Sequence, residues 1–349
     1  MMKTLFLQRL TCLLIINTSL ARYVYAGSGE TEQIITKICF GSCLKVSRPQ
    51  PVWKAINSLG PDLFIFLGDN VYADTDDPLR LKKAWIKLDG EPGYQKLREQ
   101  SIVHAIWDDH DYGKNDAGKE FKIKKESQQI FLDFFKEPKD SVRRKTPGIY
   151  GEKFLGPPDK KIQLILLDTR FFRDPLSRSP KRSKGKGPYK PTDNLKSTLL
   201  GKAQWEWLEE CLEKPANLRI IASSIQFHSA SHGWETWGNF PHERKRLLDK
   251  LQDLESNNVI FLSGDRHSAE FSKIEDYLPY PLWDITSSSL NLALSNREEE
   301  NEFRVGKQIF EENFGLLEIK WNKSKPFVKG SILDTSGNIL FSHQVIGAK

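Results

Sequence analysis

One apolar stretch, residues 63–67 (Leu-Phe-Ile-Phe-Leu), constrains the fold of this chain more than any other. A continuous apolar run that follows Gly60 and Pro61 is typical of a strand buried on both faces, as in a sheet covered by helices. Residues 68–72 then read Gly-Asp-Asn-Val-Tyr, so a carboxylate, an amide and a phenol follow the strand directly. Open α/β sheets bind ligands beyond the carboxyl ends of their strands, which makes Asp69 the first candidate for chemistry.

Several other apolar segments of the same kind occur along the chain. They predict strands at 34–40, 102–107, 162–167, 218–222, 259–262 and 282–286. Amphipathic segments between them predict helices at 51–59, 79–88, 94–99, 120–136, 203–212 and from Pro241 onward. After Phe314 apolar and polar residues alternate, which predicts antiparallel hairpins at 315–321, 327–334 and 338–345. We therefore expect an α/β protein with one catalytic domain, residues 27–349, that ends in antiparallel hairpin strands.

The first 26 residues have the features of a signal peptide. Lys3 and Arg9 form a basic region, residues 10–20 form a short apolar core, and Ala26 is a small residue at the predicted cleavage site. The apolar core is shorter than the ~20 residues that a membrane-spanning helix needs. We expect an exported protein, periplasmic, extracellular or in a secretory pathway, with no membrane span in the mature chain.

Charge and cysteine content narrow the possible functions. The formal net charge is +6, and Lys3, Arg9 and Arg22 of the first 26 residues account for half of it. The remaining charge is too small to indicate nucleic-acid binding. Cys12 lies in the leader, so the mature chain keeps Cys39, Cys43 and Cys211. An odd number leaves at least one thiol unpaired in an exported protein, which fits a metal ligand better than a disulfide framework. Cys211 occupies an apolar helix position that is typical of a core residue.

The side chains that follow the predicted strands are of the types that bind transition metals and hard cations. They are Cys43, Asp69, Tyr72, Asp109, His110, Asp265 and His267. Each has an ordinary alternative, such as a small buried thiol for Cys43 or a salt-bridged turn for Asp265. However, the adjacent acids of residues 108–111 (Asp-Asp-His-Asp) would repel one another unless a cation neutralised them. Because parallel strands bring their carboxyl ends to one edge, the set as a whole predicts a metal centre.

The same residues resemble the alkaline phosphatase D (PhoD-like) family of the calcineurin-like, purple-acid-phosphatase-type metallophosphoesterase superfamily. Residues 68–72 are similar to its Gly-Asp-x-x-Tyr block, and residues 109–111 to its Asn-His-Glu/Asp block with Asp in the first place. Residues 264–267 are similar to its Gly-His-x-His block with Asp for the first His. Phe-Gly-Ser-Cys, Trp-Asp-Asp-His-Asp, Leu-Asp-Thr-Arg and Ser-Gly-Asp-x-His follow in order between Lys37 and Leu290.

This resemblance implies a four-layer α/β/β/α sandwich with two facing sheets and with metals at the loops that join strands to helices. Asp69 would bridge two metals. The other implied ligands are Cys43, Tyr72 and His267 for ferric iron, and Asp109 and Asp265 for calcium or another divalent cation. Thiolate, phenolate and imidazole suit a redox-active transition metal, whereas an all-oxygen set suits a hard cation. A binuclear or multinuclear centre is therefore expected.

A two-metal site of this kind predicts a phosphoric ester hydrolase, in which a metal-bound hydroxide attacks the phosphorus of a phosphate ester. His110 follows a predicted ligand, so we expect it to stabilise the transition state or to protonate the leaving group. Asp111 is either the carboxylate that orients this imidazole or an exposed loop acid. Arg170 either grips phosphate or neutralises the many acids; for Arg266 we favour the second role.

Several alternatives stay open at this point. The same site could serve a phosphodiesterase or a phospholipase-like enzyme, and a non-catalytic metal-binding surface protein could retain the scaffold. Gln226 and His228 stand where the superfamily often supplies a further histidine, and each is a candidate contact to metal or substrate. The sequence does not indicate the natural substrate or the oligomeric state.

A basic segment, residues 174–193, leaves the predicted sheet directly after Arg170. It is rich in Pro, Gly and Lys, so it is incompatible with a regular helix or strand. We expect a mobile flap whose cations steer an anionic substrate, with a solvated surface loop as the alternative. The cations are Arg178, Lys181, Arg182, Lys184, Lys186 and Lys190.

Overall fold

Two mixed sheets form the centre of the computed structural model, which describes residues 31–254, 258–294 and 298–347. In chain order, the strands of these residues are β1 (Lys37–Gly41), β2 (Leu63–Leu67), β3 (Ile102–Ile106), β4 (Gly151–Leu155), β5 (Ile162–Leu166), β6 (Leu218–Ala222), β7 (Val259–Ser263), β8 (Ala269–Ile274), β9 (Leu282–Ser287), β10 (Arg304–Ile309), β11 (Asn313–Asn322), β12 (Lys325–Asp334) and β13 (Ile339–Ile346). The α-helices are α1 (Val52–Leu59), α2 (Pro78–Asp89), α3 (Pro92–Gln100), α4 (Asp109–Tyr112), α5 (Lys124–Phe134), α6 (Gly201–Leu212) and α7 (Pro241–Gln252).

The first sheet has the order β13-β12-β11-β1-β2-β3, and the second has the order β10-β8-β9-β7-β6-β5-β4. β1, β2 and β3 run parallel, and the long antiparallel hairpins β11 to β13 extend the sheet beside β1. In the second sheet β5, β6, β7 and β9 run parallel, while β4, β8 and β10 are antiparallel to their neighbours. The C-terminal alternation of the sequence thus forms the hairpin set that it predicts.

The sheets pack face to face, and helices cover their outer faces. In β5, Leu164 and Leu166 join the core between the sheets, whereas Ile165 joins the core beneath α6 and α7. Helices α1, α2, α3 and α5 contribute to the core on the other side of the first sheet. The layer order is therefore α/β/β/α, which confirms the predicted architecture. No helix of the described residues is long and apolar enough to cross a membrane.

The predicted elements are found, but three strands and the single-turn helix α4 were not predicted. Continuous apolar runs such as β2 and β6 have the predicted bounds, because burial on both faces leaves a clear signal at each end. β4, β8 and β10 were not predicted, since each mixes apolar and polar residues, and β4 and β10 are the edge strands of their sheet. The predicted signal peptide, residues 1–26, lies outside the described residues.

Candidate metal centre

The parallel strands of both sheets end at one edge of the sandwich, and the loops that follow them carry the candidate site. Cys43 follows β1, Asp69 follows β2, and Asp109 begins α4 just after β3. From the second sheet, Asp265 and His267 follow β7. The topology therefore brings together residues from opposite ends of the sequence.

Gly264 allows this edge to close. A Cβ atom at Gly264 would lie 2.5 Å from the Oγ atom of Ser42 and 2.9 Å from the carbonyl oxygen of Leu67, which is too close for a side chain. Ser42 follows β1 and Leu67 ends β2, so the loop after β7 reaches the first sheet only because residue 264 is glycine.

Four of the six predicted metal ligands have a left-handed backbone conformation. The φ angle is 59° at Cys43, 51° at Asp69, 70° at Asp265 and 53° at His267. Non-glycine residues adopt this region uncommonly, at a cost of about 1–3 kcal/mol each, and such residues cluster at functional sites. The backbone here is shaped to direct side chains toward one another at a cost in stability.

Asp69 lies in the first group of candidate ligands, which consists of Cys43, Asp69 and His267. Its Oδ2 atom accepts a hydrogen bond from the Tyr72 hydroxyl at 2.9 Å and one from the Cys43 thiol at 3.5 Å. Cys43, Asp69 and His267 offer ligand atoms that all lie within 4.8 Å of one another. Burial raises the pKa of the Asp69 carboxyl well above its ordinary value, and the neighbouring Cys43 and Asp109 raise it further. A cation bound here would favour the charged form instead.

The surroundings of His267 leave one ring nitrogen available. Its Nδ1 atom lies 2.6 Å from the carbonyl oxygen of Leu292, and because a carbonyl only accepts, Nδ1 carries the proton. In the neutral imidazole the free lone pair is then on Nε2, which is the nitrogen that a metal would bind. Ser288 stabilises the arrangement, since its Oγ atom accepts from the His267 backbone N–H at 2.9 Å and lies 3.1 Å from the Cys43 Sγ atom.

A second group consists of carboxylates alone. Asp108, Asp109 and Asp265 offer oxygen atoms within 4.8 Å of one another. Burial opposes ionisation of Asp109, but the Arg170 guanidinium and then His110 outweigh it and lower the pKa of that carboxyl to about 2. For Asp265, burial is the largest effect and raises the pKa of the carboxyl.

The chemistry of these groups fits bound cations. Asp109, Asp116 and Glu235 form a further group within 4.8 Å. Two buried oxygens, Asp108 Oδ2 and Glu235 Oε2, have no hydrogen-bond partner within the described part of the chain, a costly arrangement that a cation would relieve. The thiol, phenol and imidazole around Asp69 suit a transition metal, and the oxygen-only groups suit a hard cation. The structure thus brings all six predicted ligands together, and their role as ligands stays a prediction.

Neither of the two roles considered for Asp111 matches the structure. The Nδ1 atom of His110 lies 2.6 Å from the Oδ1 atom of Asp74, while Asp111 points the other way. The Oδ1 atom of Asp111 accepts from the backbone N–H of Asp108 at 2.6 Å, and its Oδ2 atom accepts from the side chain of Asn70 at 2.6 Å. Asp111 is also buried rather than an exposed loop acid. It supports the first turn of α4, and Asp74 orients the imidazole.

His110 itself lies beside both groups of candidate ligands. Its ring packs on Tyr72 with 4.3 Å between centroids, and it offers a nitrogen within 4.8 Å of ligand atoms of Asp69 and Asp109. Burial lowers the pKa of His110, but Asp74 and then Asp69 outweigh it and raise the pKa to about 11. Without bound cations these acids favour the protonated imidazole, which is the state a general acid needs.

Arg170 and Arg266 both act as counter-charges. Arg170 is fully buried, and it donates to Asp108 Oδ1 at 2.6 Å and to Glu235 Oε1 at 2.7 Å. Because Arg170 has no exposed surface, its guanidinium is not placed to bind a phosphate. Its geometry supports the alternative role, which is to neutralise the acids of the site. Arg266 donates to Asp265 at 2.9 Å and binds Glu299 with two nitrogen atoms, as favoured from the sequence.

Gln226 and His228 are occupied elsewhere. The amide of Gln226 donates to Glu270 at 2.6 Å, and its Oε1 atom lies 3.1 Å from His232 Nε2. The Nε2 atom of His228 lies 2.8 Å from the carbonyl oxygen of Leu282. Within the described residues, His228 belongs to none of the candidate ligand groups, and both side chains support the second sheet instead.

The three cysteines of the described chain are buried and free of disulfides: Cys39, Cys43 and Cys211. Cys39 lies within β1 and Cys211 within α6, so both are core residues. Cys43 alone among them belongs to a candidate ligand group. Because Cys43 forms no disulfide with Cys39, the Cys43 sulfur is available to bind a metal.

Sequence reasoning missed three acids of the site. Asp74 and Asp116 have φ angles of 46° and 56°, and Glu235 lies in the loop after β6. None follows a strand directly, so the rule that identified the other residues does not reach them. For two of these acids the sequence holds one signal, their closeness to a predicted site block. Asp74 lies near residues 68–72, and Asp116 lies near residues 108–111.

The basic segment 174–193 lies beside this site without forming a helix or strand, as predicted. It is held by backbone hydrogen bonds from Gly187 to His232 and from Tyr189 to Gly233, and by an isolated bridge between Arg178 and Tyr189. The Tyr189 hydroxyl donates to Asp116 of the third ligand group. The segment is thus fastened to two loops of the site along part of its length.

Comparisons with known proteins point in one direction. A family model described as PhoD-like phosphatase matches residues 39–325. The curated Alkaline phosphatase D of Bacillus subtilis (strain 168) is 30% identical over 118 residues, which cover 31% of this chain and 20% of that protein. The match therefore spans about a fifth of the length of this curated relative.

Solved structures share the fold. A structure titled "Structure of PhoD" has a TM-score of 0.68 at 15% identity and covers 91% of this chain and 74% of its own. Purple acid phosphatase PPD1 from yellow lupin (Lupinus luteus) has a TM-score of 0.61 at 13% identity over 89% of this chain and 54% of its own. GAP50, titled as the anchor in the inner membrane complex of Plasmodium, has a TM-score of 0.58 at 13% identity over 91% of this chain and 90% of its own.

Proposed function

This chain belongs to the family of PhoD-like phosphatases, and from that membership we propose that it hydrolyses phosphate esters at a centre of two or more metal ions. The motif blocks of the sequence predicted membership of this family, and the match of the family model confirms that prediction. The matched residues, 39–325, include every predicted catalytic and metal-binding residue.

The observation that carries the proposal is the position of Asp69. It lies in the group with Cys43 and His267, and also in a further group with Asp109 and His110. A carboxylate with two oxygens that belongs to two adjacent groups is the arrangement needed to bridge two cations. Asp69 is therefore the residue that joins these two groups.

We propose iron and calcium as the metals. Cys43, Tyr72 and His267, together with Asp69, would hold ferric iron, because thiolate, phenolate and imidazole favour a transition metal. Asp109 and Asp265 would hold calcium or another divalent cation, and Asp116 and Glu235 extend the oxygen donors to a multinuclear centre. When bound, such cations lower the pKa of a water molecule and neutralise the phosphoryl oxygens of the ester.

The chain's own residues supply the remaining steps. Asp74 holds Nδ1 of His110, so Nε2 is the nitrogen available to protonate the oxygen of the departing alcohol. Arg170 is buried behind the acids and compensates part of their charge, which keeps Asp109 ionised before any cation binds. Asp111 keeps the backbone of Asn70 and Asp108 in place, and so positions the loops that carry Asp69 and Asp109.

The test is hydrolysis with the metals controlled. We expect the purified protein to contain metal by elemental analysis and to hydrolyse p-nitrophenyl phosphate or bis(p-nitrophenyl) phosphate. We expect a chelator to abolish the activity and iron with calcium to restore it. Metal-loaded protein that is inactive on both esters would favour a non-catalytic role for the scaffold, and comparison of the two esters separates the monoesterase from the diesterase.

We also propose that the protein is exported. The support is the basic Lys3 and Arg9, the apolar residues 10–20 and the small residue Ala26. Amino-terminal sequencing of the mature protein from its native source should give a terminus near residue 27. A retained leader in the cell interior would refute export.

A further inference from the structure

A cavity of about 210 Å³ connects the candidate ligands with an apolar surface. Its lining includes Asp109, Asp265 and His267, and also Trp234, Leu294 and Phe310. The proposed metal chemistry uses the first three residues and leaves the other three without a role. Because both sets line one cavity, a group attached to a phosphate held at the ligands would contact the apolar surface.

The apolar surface is held in place by charged and backbone contacts. The guanidinium groups of Arg182 and Arg266 lie 5.1 Å and 5.2 Å from the centre of the Trp234 ring, which favours one orientation of the indole. Leu294 donates its backbone N–H to the carbonyl oxygen of His267 at 3.1 Å, yet its side chain is 58% exposed. An exposed leucine attached to a predicted metal ligand is an apolar group presented at the opening of the site.

The charges of the cavity argue against an anionic substituent. Arg266 is the only lysine or arginine among the described residues that line it. Its guanidinium is already bound by Asp265 and Glu299, while Asp116 and Glu235 add further acids to the lining. The proposed metals and a protonated His110 would offset the acids at the phosphoryl end, but Glu299 is not among the proposed ligands. A second negative charge beside Trp234 would meet Glu299 where the nearby Arg266 is already paired, which costs free energy.

The size of the cavity limits the substituent. Pockets for drug-sized ligands have volumes of roughly 300–1,000 Å³, and this one is smaller. It therefore suits a phosphoryl group with one compact substituent rather than a long chain held along its whole length.

We infer that the site selects phosphate esters whose alcohol is compact, uncharged and apolar or aromatic, and that Trp234, Leu294 and Phe310 form the surface that selects them. The inference rests on the proposed function, since it requires the phosphoryl group to bind at the neighbouring carboxylates. It adds the class of leaving group, which the metal chemistry alone does not specify.

Binding of non-hydrolysable phosphonates tests the selection without turnover. Methylphosphonate and benzylphosphonate share the phosphoryl group and differ by one phenyl ring, and phosphonoacetate carries a carboxylate instead. Titration calorimetry of the metal-loaded protein should show benzylphosphonate binding at least about tenfold tighter than methylphosphonate, a difference that ring burial and an aromatic contact can supply. Phosphonoacetate should bind no tighter than methylphosphonate.

Two variants assign the selection to this surface. Trp234→Ala and Leu294→Ser should each reduce the benzyl-to-methyl affinity ratio by about threefold or more. Leu294 is exposed, so its substitution tests the surface even if Trp234→Ala lowers stability. Trp207→Phe and Leu79→Ser are matched controls, since Trp207 is a half-buried tryptophan of α6 and Leu79 is 70% exposed on α2. Both controls should keep the ratio.

The outcomes separate this inference from the proposed function. A wild-type ratio near one, or a ratio unchanged in both variants, overturns the selection even if the protein hydrolyses phosphate esters. A ratio that depends on Trp234 and Leu294 supports the selection even if no ester is hydrolysed, in which case the proposed hydrolysis fails. If no phosphonate binds the metal-loaded protein, the selection is overturned.

Discussion

Asp69 and Asp109 follow adjacent parallel strands and are both buried, yet their carboxyl pKa values shift in opposite directions. Burial is the largest effect at both positions and opposes ionisation. At Asp69 the next neighbours are Cys43 and Asp109, which raise the pKa further. At Asp109 the next neighbour is Arg170, which lowers the pKa to about 2.

The difference comes from the second sheet. Arg170 lies beyond the end of β5 and reaches Asp108 at 2.6 Å and Asp109 at 3.8 Å, so one half of the centre has a fixed counter-charge. The half around Asp69 has thiol, phenol and imidazole neighbours instead. We conclude that the fold itself keeps Asp109 ionised, whereas Asp69 depends on bound cations for its charge.

The largest effect is expected at Asp69. Asp69→Asn removes the anion that is grouped with Cys43 and His267 and also with Asp109 and His110. We therefore expect loss of bound metal and a fall in kcat/KM on the order of 10³-fold or more, the upper range for one electrostatic group. Elemental analysis and hydrolysis of p-nitrophenyl phosphate measure the two losses. A variant that keeps its metals and most of its activity would show that Asp69 does not bridge cations.

The pH dependence of the metal-free protein provides the control for this variant. The pKa of Asp69 is raised in the folded state above its ordinary value of 3.8, so above that value the folded state retains a proton that the unfolded state has lost. This contribution to stability is complete at low pH and is lost as the pH rises through the raised pKa. Asp69→Asn should remove the loss, and added metal should reduce it in the wild type. Denaturant titrations of both proteins across pH measure it.

Removal of Arg170 should affect stability next most strongly. Arg170→Met removes the guanidinium that Asp108 and Glu235 share and leaves these buried acids with Ser224 and Arg173, a change that typically costs about 3–5 kcal/mol of unfolding free energy. Arg219→Met is the matched control, because Arg219 is equally buried but binds the neutral Gln163 and backbone carbonyls. Its loss should cost about 1–3 kcal/mol. Equal costs in urea unfolding would contradict the role of Arg170 as counter-charge.

His110 lies between the two halves and should affect rate rather than metal content. His110→Ala should lower kcat by about 10²-fold or more if Nε2 protonates the leaving group. An ester with a very good leaving group should lose less, because its oxygen needs no proton to depart. Equal losses on good and poor leaving groups would indicate electrostatic stabilisation instead of proton transfer.

Substitution of Asp74 should mainly lower kcat, whereas substitution of Asp111 should mainly lower the free energy of unfolding. Asp74→Ala removes the partner of His110 and should lower kcat by about tenfold, the lower range for a residue that orients another. Asp111→Asn places an amide N–H group among the donors of Asn70 and Asp108, and should lower the unfolding free energy. Thermal unfolding and steady-state kinetics of both variants measure the contrast. The reverse pattern would restore Asp111 as the orienting carboxylate.

These two acids also show where prediction from the sequence ends. Asp69, Asp109 and Asp265 were identified because each closely follows an apolar strand, and strand ends of a parallel sheet converge. Asp111 is also close to a strand, but the single turn of α4 directs its side chain back to the backbone of Asp108. Asp74 lies on a loop, where the path depends on tertiary contacts and leaves no periodic signal. Position along the chain predicts which residues reach the edge, but not their partners.

The smallest effect is expected from the lysines of the basic segment 174–193. Unlike the buried Arg170, they lie at the surface, where dissolved salt screens their charges. Lys181 and Lys184 of the basic segment are exposed, whereas Lys186 binds Glu300 at 2.8 Å and Lys190 lies 3.3 Å from Asp193. Changing all four lysines to Gln should raise KM for a phosphate ester by about two- to fivefold at low salt, because exposed charges contribute little each. The same variant should flatten the dependence of KM on ionic strength. Lys82→Gln with Lys83→Gln on α2 is the remote control, and we expect it to leave both quantities unchanged. If the four-lysine variant behaves like this control, the segment is a solvated loop, and substrate attraction depends on the bound metals alone.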